Sequence, residues 1–204
     1  MSAIITPNSE GRMCEYLLML SPSDEVKEET MRIKRIFKEQ YNCWYAVSSY
    51  PHFTLAYSFL NENEEEKFIK NLEDVAAKIQ PFLVELYKFD RFSSSTIFID
   101  MINKDPFINI GKLVKEKAGY MMKTYKKDKP EFIKNPHLTV ARGMRKDQFE
   151  QAWAEWESVE INYHFDATEM VLLKKPEGGR KYETIKTIPF SGTASAGFIQ
   201  GSLF

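Results

Sequence analysis

Pro51-His52-Phe53-Thr54-Leu55-Ala56 decides how this chain is read, because it occurs twice. Pro136-His137-Leu138-Thr139-Val140-Ala141 repeats it, with Pro, His, Thr and Ala in the same places and apolar residues in the other two. The chain holds three histidines, and the motifs use two of them. Each copy consists of strand formers behind a proline, which a strand tolerates at its first residues. Side chains alternate between the two faces of a strand. His52 and Thr54 therefore share one face, with Phe53 and Leu55 on the other. The same parity sets His137 and Thr139 against Leu138 and Val140. A single His with Thr two residues on is a common accident; two copies with matching flanks are not.

Hydrophobic spacing predicts the elements around the motifs. Met13–Leu20 reads as a buried strand. Ser21-Pro22 supplies a cap and a first-turn proline for a helix that carries Val26, Thr30, Ile33 and Phe37 inward, sets Lys27, Glu28 and Lys34 on a solvated face and ends near Gln40. Trp44–Ser49 reads as a short strand before the first motif. Asn63 with Glu66 resembles a capping box for a second helix, marked by Phe68, Leu72, Val75 and Ile79 and ended by Pro81. Leu83–Phe92 and Thr96–Met101 read as a hairpin joined through Ser93–Ser95. Asp105-Pro106 opens a third helix, with Ile110, Val114, Ala118 and Met121 on one face and Met122 as further core filler. Lys123–Lys129 is a basic loop whose charge suits solvent or a phosphate. A fourth helix follows the second motif, capped by Asp147 with Glu150 and burying Phe149, Ala152, Trp153 and Trp156. Ile161–Leu173 reads as one strand, on which His164 has Asp166 rather than Ser or Thr two residues on and reads as a structural histidine. Pro176, Gly178 and Gly179 mark a turn before a last strand, Tyr182–Phe190.

This order mixes helices with largely antiparallel strands, an α+β class. Each motif strand is followed by a helix and a strand pair, which predicts two pseudo-symmetric lobes, each contributing one His-x-Thr strand. No flexible linker separates them, so residues 13–190 form a single bilobal domain, with a loose segment at 1–12 and a tail at 191–204. Apolar content of 43% and charged content of 28% are those of an ordinary globular chain. A net charge of −1 argues against broad binding of long duplex nucleic acid and leaves a nucleotide or an RNA end open. Cys14 and Cys43 make no disulfide framework, and the longest early apolar run is too short to span a membrane. The expectation is a cytoplasmic monomer with no membrane partner.

Two imidazoles facing one cleft can act as general base and general acid near neutral pH, and two hydroxyls beside them can hold charged oxygens. A phosphodiester needs this combination: a proton taken from water, a proton given to the leaving oxygen, and donors on the phosphoryl oxygens. Zinc catalysis would need a third protein ligand, and no HExxH or CxxC supplies one. No GxSxG elbow, GxxxxGK[ST] loop or GxGxxG loop is present.

The paired PHFTLA and PHLTVA resemble the duplicated H-x-[ST]-x motifs of the two-histidine (2H) phosphoesterase superfamily, which includes the 2′-5′ RNA ligase-like proteins. The continuation into Arg142 is similar to the bacterial ligase-like branch, and the likeness runs from about Met13 to Phe190. The resemblance implies a bilobal fold with outer helices and a central cleft, no metal or other cofactor, and catalysis by His52, Thr54, His137 and Thr139. It implies a substrate among 2′,3′-cyclic phosphate ends of RNA, cyclic ADP-ribose phosphates and 2′-5′-linked nucleotides, with the 2′,3′-cyclic phosphate foremost. Three residues are further substrate-binding candidates. Tyr50 shares the parity of His52 and could stack on a base, or sit as a rim tyrosine. Arg142 falls off the His137 face by strict alternation, unless a bulge or strand end redirects it to phosphate. Tyr182 resembles an aromatic at the start of the last strand in relatives, or is a plain strand aromatic. The rival readings are 2′-5′ RNA ligation, a non-catalytic nucleotide- or RNA-binding module, and a structural protein.

Overall fold

Cys14, Tyr16, Leu18 and Leu20 are buried while the residues between them are not, and this alternation makes Met13–Leu20 (β1) the middle of a sheet. The computed structural model describes residues 11–126 and 128–192. The expected loose ends, residues 1–10 and 193–204 of them, lie outside the described residues. After β1 come α1 (Asp24–Gln40), β2 (Phe53–Asn61), α2 (Glu65–Ala76), β3 (Phe82–Phe92), β4 (Thr96–Met101) and α3 (Asp105–Ala118). Then follow β5 (Glu131–Phe132), β6 (Leu138–Ala141), α4 (Lys146–Trp156), β7 (Glu160–Ala167), β8 (Glu169–Pro176) and β9 (Glu183–Pro189). The strands form two antiparallel sheets, in the orders β5-β2-β1-β8-β9 and β6-β4-β3-β7.

Each sheet holds one motif strand, as two lobes require, but the strand pairs are exchanged. The β3–β4 hairpin that follows the first motif joins the sheet of the second, and the β8–β9 hairpin that follows the second joins the sheet of the first. The core is correspondingly continuous. Phe53 of β2 lies 5.1 Å from Phe107 of α3 and 6.0 Å from Phe165 of β7, ring centre to ring centre. Trp156 of α4 meets Phe37 of α1 and Phe89 of β3. Met121 and Met122 are buried, as expected of core filler.

Several local expectations are corrected. Trp44–Ser48 is a 3₁₀ turn and not a strand: the amides of Tyr41 and Cys43 both bond Phe37 O, Asn42 turns at φ 53°, and the chain stays coiled off the end of α1. The cap of α1 is Ser23, whose Oγ accepts the Val26 amide, so Pro22 lies just outside the helix. No Asn63–Glu66 box forms, because Asn61 Oδ1 takes the Asn63 amide and a 3₁₀ turn, Glu62–Glu64, precedes α2. At α3 it is Asn103 Oδ1 that takes the Asp105 amide, and at α4 Gln148, not Glu150, reaches back to the Arg145 amide. The stretch read as one strand, Ile161–Leu173, is two strands in different sheets. Inward positions are odd up to Ala167 and even from Met170, and that slip of phase at Thr168 is the break.

Both motif strands carry the same bulge. Thr54 pairs with Met19 and Ala56 with Leu18, so Leu55 is extra; Thr139 pairs with Phe98 and Ala141 with Ile97, so Val140 is extra. Two consecutive residues of each strand are then buried, Leu55 with Ala56 and Val140 with Ala141. The second must be small, and both copies have Ala there. The bulge reverses the parity of everything that follows.

Candidate active site

His52 and His137 stand just before β2 and β6, and the chain orients the two imidazoles identically. His52 Nδ1 lies 2.7 Å from Tyr50 O, and His137 Nδ1 lies 2.7 Å from Asn135 O. A carbonyl only accepts, so each Nδ1 carries the proton and each neutral ring keeps its lone pair on Nε2. In each lobe a lysine anchors the turn that supplies this carbonyl. Lys34 Nζ donates to Ser49 O at 2.8 Å, and Lys104 Nζ donates to Asn135 Oδ1 at 2.8 Å. Lys104 is also 2.6 Å from Asp100 Oδ1. His137 is wedged by aromatic rings, with Phe92 edge-on at 4.7 Å and Phe98 tilted at 5.1 Å.

Burial holds both imidazoles below the usual histidine range. The bond to Tyr50 works against this at His52, while the charges of Lys34, Arg142 and His137 push the same way as burial. At His137 the bond to Asn135 again opposes, Lys104 adds to the depression and Asp100 offsets it. Since charge on His137 acts on His52, the two rings are within electrostatic reach of each other. The lobes also meet at one groove of about 940 Å³, lined by Thr54 from the first motif and His137 from the second. Its wall runs along α3 through Lys112 and Lys115 and along the segment before β6 through Phe132 and Lys134, with Phe92 on the far side. Thr139 pairs with Phe98, the ring that flanks His137.

The bulge at Val140 answers the question posed by Arg142. Strict alternation would turn it from the face of His137; the extra residue turns it back, and its charge reaches both His52 and Lys34. The pseudo-equivalent residue after the first bulge is Tyr57, which the sequence reading did not single out. It lies on the face of Thr54, with its hydroxyl pushed up to about 12 by burial and by nearby carboxylates, Glu15 first. The repeat itself could have found it, since Tyr57 and Arg142 each follow their histidine by five residues. Lys34, expected on the solvated face of α1, is instead 2% exposed, and Lys104 and Asn135 were missed; an isolated lysine in a helix pattern carries no local signal.

The other candidates divide. Tyr50 contributes its carbonyl to His52, while its side chain is 81% exposed. Tyr182 lies on the face of the first sheet that carries Glu15 and Lys175, outside the residues lining the groove. Its hydroxyl donates to Glu15, Lys175 sits 4.8 Å from its ring centre, and burial pushes its pKa up. In the basic loop, Lys126 is paired with Glu177, and Lys127 lies outside the described residues. His164 is exposed rather than a buried structural residue, because its position on β7 faces away from the core that Phe165 enters. Cys14 and Cys43 are buried free thiols. Among the described residues, no three His, Cys, Asp or Glu side chains gather as a metal-binding group, and no helix is long and apolar enough to cross a membrane.

Comparison with known proteins agrees with this fold. The family described as the 2′-5′ RNA ligase superfamily matches residues 22–179, well over half of the chain. A Geobacillus kaustophilus protein named "Putative phosphoesterase" is 24% identical over 175 residues, covering 83% of this chain and 94% of that protein. A Bacillus licheniformis protein of the same descriptive name is 25% identical over 142 residues, covering 66% and 74%. Among solved structures, Escherichia coli LigT complexed with 3′-AMP superposes with a TM-score of 0.64 at 15% identity, over 88% of this chain and 99% of LigT. TT0787 of Thermus thermophilus superposes with a TM-score of 0.60 at 18% identity, over 88% and 100%. These two likenesses establish the fold.

Proposed function

The chain belongs to the 2′-5′ RNA ligase superfamily, and we propose that it is a metal-independent phosphodiesterase that opens a cyclic phosphate, foremost a 2′,3′-cyclic phosphate, at a nucleotide or RNA end. In this reading a water oxygen attacks phosphorus while the Nε2 of one imidazole takes its proton. The bond from phosphorus to the ribose oxygen breaks, and the other imidazole, entering protonated, gives its proton to that oxygen. One water is consumed, a ring opens to a phosphomonoester, and the imidazole pair resets by exchanging a proton with solvent. Thr54 and Thr139 donate to the non-bridging oxygens, and Arg142 balances their charge. Such donors act most strongly when preorganised at developing charge.

The observation that supports this reading is the mirrored pair: two imidazoles with the same tautomer, each set by a carbonyl-anchored turn, with Thr54 of the first motif and His137 of the second on one groove. General acid–base catalysis needs such positioned groups poised near neutral pH. The curated relatives named as phosphoesterases, and LigT with bound 3′-AMP, a nucleotide bearing a ribose phosphomonoester, support the same substrate class. The three lysines of the groove suit a strand continuing past the first nucleotide. The test is incubation with EDTA and either a 2′,3′-cyclic mononucleotide or an RNA oligomer ending in a cyclic phosphate. Turnover of either is expected. Saturable binding with no product would replace the esterase by a non-catalytic binding module, and joined strands without hydrolysis would replace it by a 2′-5′ ligase.

A further inference from the structure

Lys34 and Asp100 are the two charged side chains that are buried among the described residues, and they are not handled alike. Asp100 has Lys104 at 2.6 Å. Lys34 is 2% exposed, and among the described residues no carboxylate lies within ion-pair distance of its ammonium group. Among the described residues its one hydrogen bond goes to Ser49 O. A buried ammonium is costly unless an anion or several acceptors meet it. Here the charged neighbours make matters worse, since Arg142 repels it and it in turn repels a protonated His52. The Trp44–Ser48 turn, β6, β7 and, through Trp156, α4 all pack on α1, and among the described residues none brings a carboxylate within ion-pair distance of Lys34.

Its position is as telling as its lack of an anion. Ser49 O, which Lys34 holds, is one residue before Tyr50 O, which holds Nδ1 of His52. Lys104 holds Asn135, whose carbonyl holds His137 in the same way. The two lysines thus do one job in two lobes, but only the second has a neutralising carboxylate. Around His52 the charges of Lys34 and Arg142 act, and among the described residues no carboxylate pairs with Lys34, which is the charge pattern of a site completed by an anion.

We propose that Lys34 is a positioning residue for the reaction, acting on His52 through Ser49 and Tyr50, and that the substrate's phosphoryl group supplies the counter-charge it lacks. This rests on the phosphodiesterase reading for its place in turnover, but its binding role is open to test without turnover. Lys34→Met keeps the length of the side chain and removes the charge; Lys34→Arg keeps the charge. Lys34→Met should melt at or above the wild-type temperature, since a buried unpaired cation is gone. Its affinity for inorganic phosphate should fall at least tenfold, and the NMR titration of His52 should move up with the loss of a nearby positive charge. On a cyclic-phosphate substrate kcat/KM should fall on the order of 10- to 100-fold, and Lys34→Arg should recover most of the phosphate affinity.

A folded Lys34→Met protein with unchanged phosphate affinity and unchanged His52 titration would overturn the proposal and leave Lys34 a structural residue. Should that variant not fold, the wild-type protein carries the test. Burial pushes the ammonium of Lys34 down to about 8, so at pH 9 phosphate binding should draw a proton onto it, read by calorimetry in two buffers of different ionisation enthalpy. Binding without proton uptake would refute the proposal. A protein that shows the uptake yet opens no cyclic phosphate refutes the esterase reading and leaves the anion site standing.

Discussion

Asp100→Asn separates the two lysine anchors by making the second resemble the first. Asp100 is 8% exposed in its side chain and lies 2.6 Å from Lys104 Nζ, of which 28% is exposed. Oδ1 accepts no hydrogen bond among the described residues, so the contact is charge pairing rather than directed bonding. Breaking a fully buried ion pair by removing one partner costs about 3–5 kcal/mol. Lys104 is partly wet and keeps its bond to Asn135 Oδ1 at 2.8 Å, which brings the expected cost to about 2 kcal/mol. For a chain of this size that is a fall in Tm of roughly 4–8 °C. The charge change also reaches the site. Asp100 favours the charged form of His137, so its removal should move the His137 titration further down, and the acidic limb of the pH–rate profile should follow. His52, which has no such carboxylate, should move little. The assays are a thermal melt and a histidine NMR titration on the same sample. An Asp100→Asn protein with an unchanged melt and an unchanged His137 titration would refute both the energetics and the reading of the anchor.

His52→Ala and His137→Ala should each remove about 10²–10⁴ of the rate if acid–base work is what is lost. The double variant should cost far less than the product of the two, and activity should survive EDTA; near-wild-type turnover in a folded single variant would contradict the mechanism. Replacing Lys112, Lys115 and Lys134 by Ala should raise KM for an RNA oligomer and leave a cyclic mononucleotide untouched. The salt dependence of oligomer binding should then flatten by roughly 0.7 per lost phosphate contact, and an unchanged slope would place the strand elsewhere. Both imidazoles titrate lower when folded than when unfolded, so the unfolded chain binds more protons in the window below about pH 6.5. Their contribution to stability is therefore full above that pH and lost as pH falls through the folded values. Denaturant melts from pH 7 to 5 should show the loss, smaller in the His→Ala variants.

The repeat was the most legible part of the chain because it states two constraints at once. Parity fixed the side of each histidine, and duplication implied two lobes. Parity alone failed where the backbone departs from strict alternation. The bulge at Val140 returned Arg142 to the face of His137, and the bulge at Leu55 set Tyr57 on the face of Thr54. The Ala that ends both motifs was the written trace of those bulges. The phase slip at Thr168 was likewise present in the pattern of Ile161–Leu173 and was read through as one strand. Lys34, Lys104 and Asn135 are different. Their roles arise from contacts across 15 and 31 residues of sequence, and no local pattern announces such a pairing. What Tyr50 contributes to His52 is a carbonyl, which residue type does not reveal.

The exchange of hairpins bears on how two copies of a motif could serve the single site proposed for them. Were each lobe built from its own contiguous half, the lobes could shift about a linker, and the distance between the imidazoles would vary with them. Instead β3 and β4 leave the first half of the chain to flank β6, and β8 and β9 leave the second to flank β1. Moving one lobe against the other would then strain the connections that cross between the sheets and open a core shared by Phe53, Phe107 and Phe165. A displacement of the order of an ångström between acid and base is enough to cost much of a positioned proton transfer. The crossed connections therefore do for the pair what the Tyr50 and Asn135 carbonyls do for each ring: they fix a geometry before any ligand arrives.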